Sequence, residues 1–107
     1  MIAVIFEVTP TTQGKAEYLA IAAKLKSQLE KIEGFISIER FQSLTNENKV
    51  LSLSYWRDEQ AVIAWREQSN HQQAQSKGQQ SLFEDYRICV ATVKRDYGLT
   101  DRMQAPQ

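Results

Sequence analysis

The single histidine is the side chain best suited to proton transfer in this chain. His71 is the only residue of its type among 107, and an imidazole titrates near neutral pH, which suits a general base or an axial haem ligand. It follows Ser69-Asn70 and precedes Gln72-Gln73, so a solvated surface histidine explains the same pattern equally well. His71 is therefore a catalytic candidate with an open alternative.

Glu7 is the second catalytic candidate because it interrupts an apolar run. Its neighbours Ile2–Phe6 and Val8 are all apolar, and a carboxylate buried among such residues needs a partner or acquires a raised pKa. Carboxylates of this kind occur at functional sites. The alternative is a glutamate near a strand end that reaches water or pairs with Arg40 or Arg87.

Trp65, Trp56 and Ser54 are the candidates for binding a substrate. Tryptophans provide apolar surface for a flat ligand, although a core role is the more common one at such positions. Small residues on a strand leave space between a sheet and its helices. Residues of this kind are Ala3, Ser37, Ser52, Ser54 and Ala91. Such a space, with Glu7 inside it and aromatic rings around it, is typical of a small-molecule pocket.

Several standard site signatures do not occur in the sequence. It contains no Gly-x-Gly-x-x-Gly, no P-loop, no Gly-x-Ser-x-Gly, and no cluster of His, Cys and carboxylates with metal-ligand spacing. Cys89, the single cysteine, cannot form an internal disulfide and is typical of an inert packing residue. We therefore expect neither a metal site nor a dinucleotide site.

The charge balance and the distribution of apolar residues indicate which kinds of partner and which compartment to expect. Thirteen basic residues balance thirteen acidic ones, which gives no electrostatic reason to expect nucleic acid or an anionic membrane. Hydrophobic residues make up 42% and charged residues 24%, as in ordinary globular domains. The N-terminal run lacks the basic region of a signal peptide, and no stretch approaches the roughly 20 apolar residues of a membrane span. We expect a cytoplasmic protein.

The elements that must position these residues follow from hydrophobic period and turn chemistry. Strands are predicted at 2–8, 35–42, 50–56 and 86–94. Helices are predicted from about Thr11 to Gly34 and from the capping residue Asp58 to about Arg66, where Ser69-Asn70 follows. This β-α-β-β-α-β order predicts an α+β fold of the ferredoxin-like type with a four-stranded antiparallel sheet. We expect one domain at 1–97 and a tail at 98–107 that frays unless a partner holds it.

Two helices cover only one face of such a sheet, so the second face needs water or a partner. Strand alternation predicts one uniformly large, apolar face: Ile2, Val4, Phe6, Val8, Ile36, Ile38, Leu51, Leu53, Tyr55, Ile88 and Val90. The other face mixes large, small and charged residues: Ala3, Ile5, Glu7, Phe35, Ser37, Glu39, Phe41, Val50, Ser52, Ser54, Trp56, Arg87, Cys89, Ala91 and Val93. Neither set is typical of a solvent face, so we predict a symmetric homodimer, sheet against sheet. The alternative is that the strands pair in another register and that one face of the sheet is exposed to solvent.

Several short segments, taken together, resemble the antibiotic biosynthesis monooxygenase family. They are Glu-Gly-Phe-Ile-Ser-Ile-Glu at 33–39, Leu-Ser-Leu-Ser-Tyr-Trp-Arg-Asp-Glu at 51–59, and the spacing of Trp65, His71, Ala74 and Gly78. The resemblance covers about residues 1–97 of the chain. It implies a dimeric α+β barrel, in which two sheets pack face to face and each protomer keeps a cleft between its helices and its sheet.

Membership of that family implies either of two chemistries. Some members oxygenate polycyclic phenols or quinols with O₂ and neither metal nor flavin, and others bind and degrade haem. The haem-degrading branch uses an Asn late in the first strand, a Trp on the second helix and a His about ten residues further on. Glu7, Trp65 and Gln75 occupy these positions here, so two of the three depart. His71, six residues after Trp65, is closer to the broader monooxygenase pattern.

The resemblance and the candidate residues together lead to one expectation and two alternatives. We expect a cofactor-independent monooxygenase that oxidises a small aromatic phenol or quinol. His71 or Glu7 would remove the phenolic proton, while Trp65, Trp56 and Ser54 would bind the ring. The alternatives are a haem-binding or haem-degrading protein with His71 as a ligand, and a non-catalytic dimer that binds a small molecule.

Overall fold

The strands of this protein are formed by segments of alternating apolar residues. The structure is a computed structural model that describes the backbone of residues 1–75 and 83–106 and the side chains of residues 1–68 and 83–106. The elements in these ranges are β1 (Ile2–Pro10), α1 (Lys15–Leu29), β2 (Phe35–Gln42), β3 (Val50–Trp56), α2 (Glu59–Gln75) and β4 (Phe83–Thr92). The strands form one antiparallel sheet in the order β2-β3-β1-β4. The predicted α+β, ferredoxin-like arrangement is thereby confirmed.

Both ends of α1 differ from the prediction. Thr11 Oγ1 accepts the N–H of Gly14 at 3.0 Å, which closes a turn before the helix begins at Lys15. The helix ends at Leu29, whereas Gly34 has a φ of +94° in the turn that leads into β2. A Cβ at Gly34 would lie 2.8 Å from the Cβ of Ala61. This glycine is therefore required by a turn and a close approach to α2, and it does not end α1.

The second helix is longer than predicted, and the last strand begins and ends earlier. Asp58 caps α2 as expected, because its Oδ1 accepts the N–H of Ala61 at 3.0 Å. The helix continues through Ser69-Asn70 to Gln75. Ser and Asn cost only some tenths of a kcal/mol, up to about 0.7, in a helix interior, which neighbouring turns can offset. β4 spans Phe83–Thr92, where 86–94 was predicted.

Apolar side chains between the helices and the sheet form two separate clusters. The first has Leu29, Trp56, Ala61 and Val62 buried at its centre, with Ile2, Val4, Ile32, Phe35, Ile38 and Trp65 packed around them. The second has Val8, Tyr18 and Val50 at its centre, with Phe6 and Phe83 beside them. Both clusters lie on one face of the sheet, which we call the helix face. The sheet positions between the two clusters include the serines of β3.

Cross-strand pairing corrects the predicted division of the two faces at β3. Ile2 pairs with Trp56 and Val8 with Val50, so the even-numbered residues of β3 share the helix face with those of β1. Alternation gives the two sets within one strand but not the register between strands, and the wrong match exchanged the faces of β3. A register shift between Phe35 and Ser37 also puts Phe35 on the helix face.

The opposite face, which we call the open face, has no helix over it among the described residues. Its side chains are Ala3, Ile5, Glu7, Ser37, Glu39, Phe41, Leu51, Leu53, Tyr55, Arg87, Cys89 and Ala91. The open face thus combines an apolar centre with charged residues towards its edges. Residues 93–106 contain no helix or strand. No helix in the described ranges is long and apolar enough to cross a membrane.

Candidate functional site

Trp56 and Ser54, two of the predicted binding residues, lie together in the core beneath the helices. The indole Nε1 of Trp56 donates a hydrogen bond of 2.9 Å to Ser54 Oγ, and the two residues are 2% and 5% exposed. Phe35 packs edge-on against the indole, with ring centroids 5.2 Å apart. The polar atom of the indole is therefore satisfied inside the protein, and a packed core explains Trp56 without a ligand.

Trp65, the third predicted binding residue, is half-buried at the rim of the first cluster. Its position depends on how α2 begins. Arg57 N–H donates to the Gly34 carbonyl at 2.7 Å, and the Asp58 cap orients the first turn. The N–H of Ala61, and then the guanidinium of Arg57 at 3.1 Å, lower the pKa of Asp58 because they stabilise its charged form. Trp65 keeps a part of its surface free for a ligand.

An apolar floor lies on the helix face of the two strands on the β4 side of the sheet. We define the floor as Val4, Phe6, Ile88 and Val90, which are cross-strand partners in β1 and β4. Ile88 and Val90 are 54% and 40% exposed, although they share the face that the helices cover elsewhere. Trp65 belongs to the cluster that includes Val4. The floor and Trp65 therefore offer a flat, apolar ligand a surface between helix and sheet.

Aromatic rings close the floor at the end distant from Trp65. The ring centroid of Phe6 is 6.0 Å from that of Tyr86 and 6.4 Å from that of Phe83, and Tyr18 lies 5.4 Å from Phe83. Tyr86 is 60% exposed. Its phenol is the ionisable group on the helix face of the paired stretches Ile2–Val8 of β1 and Tyr86–Thr92 of β4. Sequence reasoning missed this residue, although its alternation with Ile88 and Val90 could have indicated it.

Glu7 lies on the open face, away from the predicted binding residues. Its carboxylate Oε1 is 3.0 Å from Lys49 Nζ, and its Oε2 is 4.0 Å from Arg87 Nη1. The expected pocket that combines Glu7 with Ser52 and Ser54 is not observed, since β3 presents those serines to the helix face. Pairing with Arg87, the alternative interpretation, is present, and Lys49 is the closer partner.

A shallow depression surrounds Glu7 on the open face. Its volume is about 390 Å³, and its lining residues are Glu7, Phe41, Gln42, Ser43, Lys49 and Leu51. The amide of Gln42 holds the neighbouring hairpin loop, donating to the carbonyl oxygens of Glu47 and Lys49 at 2.9 and 3.1 Å. The carboxylate of Glu7 is thus neutralised in a surface hollow, separated by the sheet from the floor.

His71 lies in α2, the helix that also carries Trp65. Its side chain falls outside the described side chains, so its contacts are not part of the site's geometry. The described residues hold no group of three or more His, Cys, Asp or Glu side chains that could bind a metal ion. The chemistry offered by the described part of the cleft is therefore apolar and aromatic binding, with the Tyr86 phenol beside it.

Comparison with known proteins places the chain among relatives. A Pyricularia oryzae protein called jasmonate monooxygenase ABM is 43% identical over 93 residues, which are 87% of this chain and 43% of that protein. The chain thus spans less than half the length of this relative. A Bacillus subtilis protein, YqjZ, is 29% identical over 87% of this chain and 79% of its own length.

Solved structures share the fold. SnoaB, a cofactor-independent oxygenase from Streptomyces nogalater, superposes with a TM-score of 0.73 at 14% identity, covering 89% of this chain and 94% of its own. An MhuD mutant with two manganese protoporphyrin IX molecules per active site gives 0.74 at 14% identity, covering 92% and 99%. The sequence profile described as antibiotic biosynthesis monooxygenase matches residues 1–77. The chain belongs to the antibiotic biosynthesis monooxygenase family.

Proposed function

We propose that the protein is a monooxygenase that oxidises a small aromatic phenol or quinol with O₂ and without a cofactor. The observation that carries the proposal is the apolar floor, Val4, Phe6, Ile88 and Val90, of which Ile88 and Val90 are exposed on the face of the sheet that the helices cover elsewhere. Family membership and the 43% identical relative named as a monooxygenase support the reaction class. The fold alone would be weak support for a reaction, since one fold serves many functions.

The proposed substrate lies flat on the floor, between Trp65 at one end and the rings of Phe6 and Tyr86 at the other. Aromatic side chains bind flat rings through offset and edge-to-face contacts. In this proposal Trp56 and Ser54 support the binding surface from within the core, because their mutual hydrogen bond stabilises the cluster against which Trp65 packs. They shape the binding surface without touching the reacting atoms.

His71 is the proposed general base. A neutral imidazole is the group best matched to removing a phenolic proton near pH 7, and α2 carries it six residues after Trp65. Glu7, the other candidate, is ion-paired on the open face, which favours His71. The deprotonated ring transfers an electron to O₂, and the two radicals combine into a peroxide on a ring carbon. The peroxide takes back the proton that His71 had removed, and water is then lost with the hydrogen of that ring C–H, so that the phenol and O₂ give a quinone and H₂O.

A second copy of the chain is the proposed partner, packed on the open face. The centre of that face is apolar, with Ile5, Leu51, Leu53 and Tyr55 on neighbouring positions of β1 and β3. These side chains are half-buried within one protomer and have no helix over them among the described residues, so a second sheet packed on this face would bury them further. The proposed dimer buries these side chains sheet against sheet and leaves each cleft on the outer, helix-covered side. We place the domain at 1–97, the tail at 98–107 and the reaction in the cytosol.

Isotope labelling tests the proposed reaction directly. The purified protein is incubated under ¹⁸O₂ with a panel of anthrones, naphthols and quinols, and the products are analysed by mass spectrometry. We expect one labelled oxygen atom in the product carbonyl and a rate above that of the uncatalysed reaction. If no compound is oxidised, the two alternatives to be tested next are a haem-binding protein and a non-catalytic dimer that binds a small molecule. A Soret band that appears on titration with haemin and disappears in His71→Ala would then favour a haem-binding protein.

A further inference from the structure

One hydroxyl group on the helix face lies beside the floor, where a ligand can reach it. Tyr86 is the cross-strand partner of Val8, which is buried at the centre of the second cluster, and Tyr86 itself is 60% exposed. Its backbone N–H donates to Asp85 Oδ1 at 2.9 Å, whereas none of the hydrogen bonds found among the described residues involves its hydroxyl group. The phenol of Tyr86 is therefore available to a bound molecule.

The ring of Tyr86 is inclined towards the floor. Phe6, a floor residue, pairs with Ile88, and Tyr86 occupies the next position on the same face of β4. The ring centroids of Phe6 and Tyr86 are 6.0 Å apart, with an angle of 58° between the ring planes. Diagonal contacts of this kind are within the reach of aromatic side chains on neighbouring strands. The contact therefore keeps the phenol at the border of the floor, next to Phe6.

The surface around this hydroxyl is apolar and uncharged. Between the paired ends of β1 and β4, the other side chains on the helix face are Ile2, Val4, Phe6, Val8, Ile88, Val90 and Thr92. Thr92 is the sixth residue after Tyr86, roughly 20 Å further along the strand. The serines of β3, Ser52 and Ser54, are only 6% and 5% exposed, too little for a ligand on the floor to reach them. Within β1 and β4, the Tyr86 hydroxyl is thus the donor for the Phe6 end of the floor.

The second helix brings the proposed base towards the same end of the sheet. α2 follows Trp56 at one end and precedes β4, which begins opposite Pro10 at the other end. The chain thus crosses the length of the sheet through α2. At a rise of about 1.5 Å per residue, the backbone of His71 lies roughly 9 Å beyond that of Trp65 along the helix, in the direction of the end that carries Tyr86.

Proton removal from a bound phenol creates a need for a hydrogen-bond donor. It leaves a negative charge on the phenol oxygen, and a charge in apolar surroundings is unfavourable unless a donor bonds to it. A tyrosine hydroxyl is such a donor, and its hydrogen bond to an anion is stronger than its hydrogen bond to a neutral phenol. A donor that favours the phenolate in this way lowers the barrier to proton removal.

We propose that the Tyr86 hydroxyl donates a hydrogen bond to the substrate oxygen as that oxygen becomes a phenolate. In this step the phenolic O–H bond breaks, the proton goes to His71, and the electron pair stays on the substrate oxygen, while the O–H bond of Tyr86 stays intact. The substrate class is a phenol whose free hydroxyl group lies at the Phe6 end of the floor. The proton removal rests on the proposed function, whereas recognition of a phenolate by Tyr86 is tested by binding alone.

Calorimetric titration with a phenolate and its methyl ether tests the proposal. The probes are pentafluorophenol, which is ionised at neutral pH and resists oxidation, and pentafluoroanisole, which cannot ionise. Both are added to the full chain without oxygen. We expect Tyr86→Phe to bind the phenolate roughly tenfold more weakly than the wild type, because a hydrogen bond to a charged group is lost, and to bind the ether with unchanged affinity. Tyr97→Phe, whose ring lies under Arg102 in the C-terminal segment, is the matched control and is expected to bind both probes as the wild type does.

Equal affinity of the wild type and Tyr86→Phe for the phenolate would overturn the proposal. An equal loss of affinity for both probes would also overturn it, since the hydroxyl would then have only a structural role, and so would no binding of the phenolate by the wild type at millimolar concentration. Circular dichroism checks the fold of Tyr86→Phe, which keeps the ring beside Phe6. In the oxidation assay we expect Tyr86→Phe to lower kcat roughly tenfold or more with little change in KM. A lack of oxygen uptake by the wild type would contradict the proposed function but leave the binding results unchanged.

Discussion

The carboxylate of Glu7 lies 3.0 Å from the ammonium of Lys49, on the face of the sheet opposite to the one that carries Trp56. Glu7 and Phe6 are consecutive residues, yet the pleat of β1 directs one to the open face and the other to the floor. Glu7 therefore lies outside the proposed cleft, whereas His71 belongs to α2, the helix that also carries Trp65. The chain thus allows a comparison between one candidate base in the helix of the proposed cleft and one on the open face.

Glu7→Gln is expected to change stability slightly and activity hardly at all. Glu7 is 28% exposed and Lys49 is 39% exposed, and ion pairs of this exposure contribute no more than about 1 kcal/mol to the free energy of unfolding. Urea denaturation of Glu7→Gln, Lys49→Met and the double variant measures their coupling. A coupling well above 1 kcal/mol, or a loss of oxygen uptake in Glu7→Gln, would contradict the assignment of Glu7 to a surface ion pair.

Ser54→Ala is expected to destabilise the protein through Trp56. Without Ser54 Oγ, the buried indole N–H has no acceptor, which costs about 1–3 kcal/mol. In Trp56→Phe that donor is absent, so Ser54→Ala should cost less when added to Trp56→Phe. Denaturant unfolding of the two single variants and the double variant gives the coupling. Additive effects would show that the 2.9 Å hydrogen bond contributes nothing to stability.

Leu53→Lys is expected to convert the proposed dimer into a monomer. Leu53 lies at the centre of the open face, between Ile5 and Glu39 on the neighbouring strands, and a buried unpaired charge there opposes sheet-to-sheet packing. Sedimentation velocity measures the change. Ile63→Lys is the matched control, since Ile63 is 39% exposed on α2. A monomeric wild type, or a monomeric Ile63→Lys with a dimeric Leu53→Lys, would contradict the sheet-face dimer.

Asp58 makes stability depend on acid pH. The Ala61 N–H and the Arg57 guanidinium lower the pKa of Asp58 in the folded state, so the folded protein binds a proton there less readily than the unfolded chain. This stabilisation is therefore complete at pH values above the pKa of Asp58 in the unfolded chain, which is about 4. It is lost as the pH falls through the lower pKa of Asp58 in the folded protein. The difference in Tm between wild type and Asp58→Ala should be constant from pH 5 to 7 and shrink below about pH 4. A difference that grows as the pH falls would contradict this assignment.

Local chemistry in the sequence was enough to predict most of the fold. The cap at Asp58 and the alternation in β1 to β3 each depend on near neighbours, and the structure confirms these elements. Gly34 misled the prediction of where α1 ends because its signal, a positive φ, serves a turn as well as a helix end. These errors moved element ends without changing the order of the elements.

The candidate site was harder to predict because it depends on register. Trp56, Ser54 and Glu7 were assigned to one face, and a shift of one residue between β1 and β3 is enough to separate Glu7 from the other two. Only cross-strand pairing shows that Ser52 and Ser54 share the helix face with Val4 and Phe6, and nothing in the spacing along one strand carries this information. Tyr86 is a different case, because its alternation with Ile88 and Val90 along β4 could have indicated it.

Oxygen consumption by three proteins tests the central claim most directly. Wild type, His71→Ala and Glu7→Ala are compared in an oxygen electrode with the most rapidly oxidised quinol of the panel. A cofactor-independent monooxygenase with His71 as its base predicts uptake above the uncatalysed rate in the wild type, similar uptake in Glu7→Ala and a loss of roughly a hundredfold or more in His71→Ala. Equal rates for all three proteins, none above the uncatalysed reaction, would contradict the account.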